Sequence, residues 1–288
     1  MQTTPPEAFF LPVDDHRHSQ RFCLFHPAQG DLMRGYVLYV HPFAEEMNKS
    51  RRMAGLQARA LSRIGFAVLQ LDLLGCGDSS GDFGDAVWKD WISDVMAGWL
   101  WLRTRDNAPA NGRTVMPLWL WGLRAGCLLA TDVARQLEQP CNFLFWQPPS
   151  SGRQLLQQFL RLKVAGDMLS GDAKGIMGKL HQRLSIGSSV EVAGYIVSAG
   201  LASGLEHAAL VPTTRAGQRC RVEWFELSTR QDANLAPAST EAVALWRQSG
   251  FQVGNHVVNG PAFWQTSEIE EAPALIAATT AALSALSA

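Results

Sequence analysis

Leu118-Trp119-Leu120-Trp121-Gly122-Leu123-Arg124-Ala125-Gly126-Cys127 reads as a buried strand, a sharp glycine-flanked turn and the start of a helix. An unbroken apolar run suits a strand covered on both faces. Two glycines flanking one central residue suit a turn where strand and helix approach closely. This is the frame of a nucleophile elbow, Gly-x-Ser-x-Gly, in which a strained turn lifts a serine hydroxyl clear of the strand. Here Arg124 stands where the serine belongs. A guanidinium stays protonated and has no lone pair with which to attack an ester or amide. The frame points to a hydrolytic fold, and the residue inside it points away from hydrolysis.

The rest of the chain supplies the elements such an elbow needs. Arg21 to Phe25 and Tyr36 to His41 read as strands about a Gln29-Gly30-Asp31 turn. Ser50 to Ile64 has helical spacing, and Phe66 to Asp72 is a short apolar run suited to a buried strand. Val87 to Arg103 predicts an amphipathic helix with Trp88, Trp91, Ile92, Val95, Trp99 and Leu102 on one face. Ala125 to Leu137 continues the elbow as a helix, and Asn142 to Trp146 predicts the next strand, stopped by Pro148-Pro149. Strands alternating with helices imply a mostly parallel, doubly wound α/β sheet covered on both faces. From about residue 150 to 217 the pattern is irregular: Gln154 to Leu162 looks helical, while Gly166 to Ser189 is rich in glycine and serine. Alternation resumes with Arg221 to Leu227 (strand), Ser239 to Ser249 (helix), Phe251 to Val258 (strand) and Glu268 to Leu286 (helix). Thr266-Ser267-Glu268 reads as the start of that last helix. One domain over 1–288, with a helical cap inserted at about 150–217, is expected.

Composition narrows the class. Hydrophobic residues are 47% and charged residues 18% of the 288, enough for a large buried sheet. The net charge is −1 with no basic run, which argues against nucleic acid as a partner. Cys23, Cys76, Cys127, Cys141 and Cys220 are odd in number and lack metal-site spacing, which suits reduced thiols in a cytoplasmic protein without a metal or cofactor. Met1 to Phe10 has no basic region followed by an apolar core, so a signal peptide is not expected. The apolar runs are too short to span a membrane. A small-molecule ligand is the expected partner, and homodimerisation stays open.

Two further motifs carry a resemblance. Leu71-Asp72-Leu73-Leu74-Gly75-Cys76-Gly77-Asp78-Ser79-Ser80-Gly81 resembles the Asp-x-x-Gly-x-Gly-x-Ser loop after the fourth strand of many α/β-hydrolase fold proteins. His41-Pro42-Phe43-Ala44-Glu45-Glu46-Met47-Asn48-Lys49-Ser50-Arg51-Arg52 is a rarer stretch. With Trp146-Gln147-Pro148, Gln158-Phe159-Leu160-Arg161 and Glu191-Val192-Ala193-Gly194-Tyr195, it resembles the second type of exosortase A system-associated hydrolase, from about Phe9 to the C-terminus. Those are bacterial proteins encoded beside exopolysaccharide and protein-sorting genes. The resemblance implies an α/β-hydrolase fold and, if the chain is active, carboxylic ester hydrolysis.

The catalytic order for that fold is nucleophile, acid, histidine. Arg124 fills the first position, either as a packing or ion-pairing residue or as an anion receptor at a helix N-terminus. Cys127, one turn on, is a displaced nucleophile or a small buried residue. Ser79 and Ser80 read as turn residues. Asp232 falls in the loop where the acid belongs. The loop that should bring the histidine, Asn259 to Gln265, holds none, and His256 comes several residues early, inside a strand. Loss of triad members costs a serine hydrolase roughly a millionfold in rate. The segment with His41, Glu45, Glu46, Asn48 and Arg51 is the best remaining candidate: its glutamates can pair with Arg124, its histidine can act as a displaced base, and Asn48 can cap the following helix. Trp264 ends a segment where a cleft wall belongs. Three functions follow: a non-catalytic member binding an anionic or acyl small molecule, an esterase or thioesterase with displaced residues, and an interaction subunit for another cell-envelope enzyme.

Overall fold

The computed structural model describes residues 4–13, 19–30, 32–105, 116–168, 175–212 and 220–285. Within them the strands are β1 (Glu7–Pro12), β2 (Gln20–His26), β3 (Gly35–Val40), β4 (Phe66–Leu71), β5 (Leu118–Leu123), β6 (Asn142–Trp146), β7 (Val190–Val192), β8 (Tyr195–Val197), β9 (Arg221–Ser228) and β10 (Gln252–Asn259). The helices are α1 (Glu45–Arg63), α2 (Trp88–Thr104), α3 (Ala125–Gln136), α4 (Gly152–Met168), α5 (Ile176–Ser185), α6 (Ala199–His207), α7 (Pro237–Gln248) and α8 (Pro273–Ser284).

Every residue of β3 and β5 is buried, as unbroken apolar strands covered on both faces must be. They lie at the middle of an eight-stranded sheet in the order β1-β2-β4-β3-β5-β6-β9-β10. β1 and β2 run antiparallel at one edge and the others are parallel, as the alternation of elements predicts. The sheet divides the core in two. One side packs under α2, α3 and α7 with Trp91, Trp99, Phe143 and Trp246; the other packs under α1 and α8 with Trp121, Trp146 and Phe263. Between β6 and β9 come α4, α5, the β7–β8 hairpin and α6.

The structure departs from the sequence expectation at several starts. α1 begins at Glu45, five residues before Ser50, because Ala44 (φ 51°, ψ −130°) turns the chain sharply after β3 and two glutamates occupy the dipole-favoured first turn. Asn48 therefore lies inside the helix and does not cap it. α8 begins at Pro273, whose ring suits the first helical position, and Thr266-Ser267-Glu268 lies outside it. β1, α5, α6 and the β7–β8 hairpin were not read from sequence. Asp31, Gly217 and Leu286, which bound expected elements, lie outside the described residues.

Candidate functional site

β5 runs to Leu123, and Arg124 (φ 54°, ψ −120°) then turns the chain directly into α3. Such a torsion is unfavourable for a residue with a side chain and costs of order 1–3 kcal/mol. Both flanking glycines are required by close approach. A Cβ on Gly122 would lie 2.5 Å from Cys127 N, and one on Gly126 would lie 2.1 Å from Val40 O. The turn is tied to the neighbouring strand by Arg124 N–H donating to Trp146 O (3.0 Å). Ala44, at the end of the loop after β3, repeats almost the same torsion before α1. Two helices thus start beside one another at the carboxyl end of the sheet, each leaving N–H groups without intrahelical acceptors.

The Arg124 guanidinium is mostly buried. Its Nε donates to Glu46 Oε1 (3.2 Å) and its Nη2 to Gln158 Oε1 on α4 (3.3 Å), and it lies over the Trp264 ring, 5.8 Å from the centroid. Burial pushes the Glu46 carboxyl above its ordinary pKa, opposed by Arg124 and the Gln265 amide nearby. Glu46 Oε2 and Trp264 Nε1 are buried with no hydrogen-bond partner of good geometry among the described residues. These groups line a cleft of about 420 Å³ whose other wall is Phe43, Leu155, Phe159 and Leu162. Leu162 is 54% exposed although large and apolar. The expected pairing of Arg124 with a glutamate of α1 is present, and Trp264 forms the wall. Gln158 was missed as a contact, although Leu155, Phe159 and Leu162 repeat at helical spacing beside it.

Glu45 also lines the cleft, at its rim, and the remaining candidates go elsewhere. Glu45 accepts from Tyr195 Oη (2.8 Å) and Asn48 Nδ2 (3.1 Å), which fixes the β7–β8 hairpin against α1 at the rim. Arg51 turns away to Asp72 Oδ2 (2.7 Å). His41 is buried: its Nδ1 donates to Pro42 O (2.8 Å), and its Nε2 accepts from Leu73 N–H (3.2 Å). Burial also lowers its pKa. Cys127 is fully buried under the elbow, its thiol 3.6 Å from Trp146 O and held in the neutral form by desolvation. Asp232 is exposed and does not line the cleft. His256 bonds Glu223 Oε2 (2.8 Å) and stacks on Phe225 within the sheet. Ser79 and Ser80 accept from the N–H groups of Phe22 and Gln20, so they close a turn against β2. Among the described residues, no group of three or more His, Cys, Asp or Glu is placed to hold a metal ion, and no helix is long and apolar enough to cross a membrane.

No family model matches the chain. A human protein, ABHD12B, is 30% identical over 103 residues, which cover 36% of this chain and 25% of that protein. The match thus spans about a quarter of the relative's length. Solved structures align over nearly the whole chain. Est1E from Butyrivibrio proteoclasticus with ferulic acid bound has a TM-score of 0.62 at 13% identity, covering 96% of each chain. A soluble variant of monoglyceride lipase from Saccharomyces cerevisiae, in complex with a substrate analog, has a TM-score of 0.60 at 13% identity, covering 98% of this chain and 96% of that one. A carboxyl esterase from Bacillus coagulans has a TM-score of 0.59 at 13% identity, covering 90% and 91%. The chain has the α/β-hydrolase fold.

Proposed function

We propose that this chain binds, rather than cleaves, a small anionic or acyl molecule in the cleft between Arg124 and α4. The observation that carries this is the guanidinium in the nucleophile position, raised by the elbow torsion toward the cleft. Its contacts to Glu46 and Gln158, at 3.2 and 3.3 Å, are longer than charge-assisted hydrogen bonds at their best. A ligand carboxylate can therefore replace Gln158 on the outer edge of the fork, where planar bidentate geometry suits arginine. The apolar wall from Phe43 to Leu162 suits an acyl chain. On this reading the chain is one domain, with Gly152–His207 as the cap over the cleft. The resemblance of the His41 to Arg52 stretch supports a role beside exopolysaccharide export and exosortase-dependent sorting, in the cytoplasm.

The esterase reading draws no support from the geometry. Both nitrogens of His41 are engaged, the Cys127 thiol is buried and neutral, and the loop from Asn259 to Gln265 carries no base.

The test uses short-chain para-nitrophenyl esters and octanoate. Wild type and Arg124→Ser should both stay at background ester turnover. Octanoate should bind the wild type in calorimetry and bind Arg124→Gln at least about tenfold more weakly, the loss expected for one charge-assisted contact. Turnover appearing in Arg124→Ser would reveal a usable base and overturn the proposal. Octanoate binding indifferent to Arg124 would overturn it too.

A further inference from the structure

On its other flank α1 covers a second cavity, of about 310 Å³, away from the elbow. Its floor is a row across three strands, since Leu24 on β2 pairs with Gln70 on β4, and Gln70 pairs with Tyr39 on β3. Its roof is one stripe of α1 at four-residue spacing, Arg51, Gly55 and Arg59. Gly55 leaves the stripe open, and a Cβ there would meet only Arg59 Nη1, at 3.6 Å.

The polar groups around this space are not balanced. Arg51 is matched by Asp72, and Asp72 also accepts from Asp78 N–H (3.1 Å). Arg52 is matched by Glu271. Arg59 forms no ion pair or hydrogen bond among the described residues, so one positive charge at the mouth is uncompensated. At the base, the Tyr39 hydroxyl is buried without a hydrogen-bond partner of good geometry, the neighbouring Ser50 hydroxyl being turned to Met47 O (3.1 Å). A buried hydroxyl left unpaired costs about 1–3 kcal/mol, so it needs an occupant or an explanation. Gln70 lines the same cavity and uses its carbonyl on His26, and its amide nitrogen makes no hydrogen bond among the described residues. Phe22, Leu24, Met47 and Leu71 give the remaining wall its apolar part, beside the buried His41.

We propose that this cavity is a second ligand site, taking a small carboxylate on a compact apolar body. The carboxylate meets Arg59 and the open side of Arg51, the Tyr39 hydroxyl and Gln70 amide complete its hydrogen bonds, and the apolar body lies against Phe22 and Leu24. A fork-shaped donor set around a planar anion is the arrangement arginine serves best. The site is separate from the elbow cleft: the two cavities share no lining residue, and α1 gives Glu45, Glu46 and Lys49 to the cleft but Met47, Arg51, Gly55 and Arg59 to this one.

Benzoate, benzamide and inorganic phosphate are the probes, titrated calorimetrically into wild type, Arg59→Gln, Tyr39→Phe, Gly55→Leu and Arg124→Gln. In Arg124→Gln, which removes any carboxylate binding at the elbow cleft, benzoate should still fill this cavity with the affinity it has for it in the wild type. It should weaken about tenfold in Arg59→Gln, the effect of one charge-assisted contact. It should weaken in Tyr39→Phe and disappear in Gly55→Leu, whose side chain enters the cavity while the helix gains propensity and stays folded. Benzamide, neutral and of the same shape, should bind at least tenfold more weakly, and so should phosphate, which lacks the apolar body, on the order of one charge-assisted or apolar contact. Benzoate binding untouched by Arg59→Gln and Gly55→Leu, equal binding of benzamide, or no saturable binding of benzoate would overturn the proposal. Loss of benzoate only in Arg124→Gln would assign the ligand to the elbow cleft instead, and failure of octanoate at Arg124 leaves this outcome separate.

Discussion

Burial raises the Glu46 carboxyl above the ordinary range while the Arg124 guanidinium, 3.2 Å away, pulls it back. An anion bound to Arg124 cancels that second pull, so the Glu46 pKa is higher in the complex than in the free protein. The complex then holds more protons than its separated parts, and affinity must strengthen as pH falls through the interval between the two values. Octanoate should therefore bind more tightly as pH falls from neutral into the acid range, with proton uptake visible as a buffer-dependent heat. Glu46→Gln should abolish both the pH dependence and the uptake. A flat profile in the wild type, or an unchanged one in Glu46→Gln, would remove Glu46 from the binding event.

At the scale of elements, the elbow was legible because its glycines serve a close approach that leaves a fixed spacing in sequence. Gly126→Ala tests that reading: its Cβ would fall 2.1 Å from Val40 O, which is backbone and cannot swing aside. The substitution should destabilise the protein by about 2 kcal/mol or more despite alanine's better helix propensity, measured by urea unfolding. Unchanged stability would show that α3 can lift from β3. The start of α1 was not legible, because the signal is a strained Ala44, a residue that gives no sign of positive φ in sequence. The error spread to the site. Read as a loop, His41 to Arg52 points many polar groups at one cleft. Wound as a helix from Glu45, the same residues diverge by about 100° per position. Glu46 reaches Arg124, Glu45 and Asn48 reach Tyr195, and Arg51 reaches Asp72. The segment between β6 and β9 was only half legible, since short strands and helices rich in glycine and serine leave weak periodicity.

Across the whole molecule, one ion pair joins distant parts of the chain that sequence could not link. Arg21 on β2, the strand next to the sheet edge, meets Asp94 on α2 at 2.7 Å, both almost fully buried, and Asp94 also accepts from Leu74 N–H (2.7 Å). Burial pushes the Asp94 carboxyl from 3.8 up to about 6, although Arg21 and the Leu74 N–H draw it down. Because the folded-state value is the raised one, the contribution of Asp94 is greatest below the unfolded value and is lost as pH rises toward about 6. Arg21→Met strips the partner from a buried charge and should cost about 3–5 kcal/mol at neutral pH. The deficit should shrink in acid, where Asp94 takes a proton. Adding Asp94→Leu should recover most of it, and denaturant unfolding of the three proteins at two pH values measures both effects. A deficit that grows in acid would contradict the sign. The elbow has a consequence of a different kind. Its torsion belongs to the strand and helix around it, so the frame presents whatever side chain stands at 124. A serine there would still face a loop from Asn259 to Gln265 without a histidine, and a histidine there would still face an arginine. On the proposed reading neither exchange alone creates turnover, so a working nucleophile and a working base would have to arrive together.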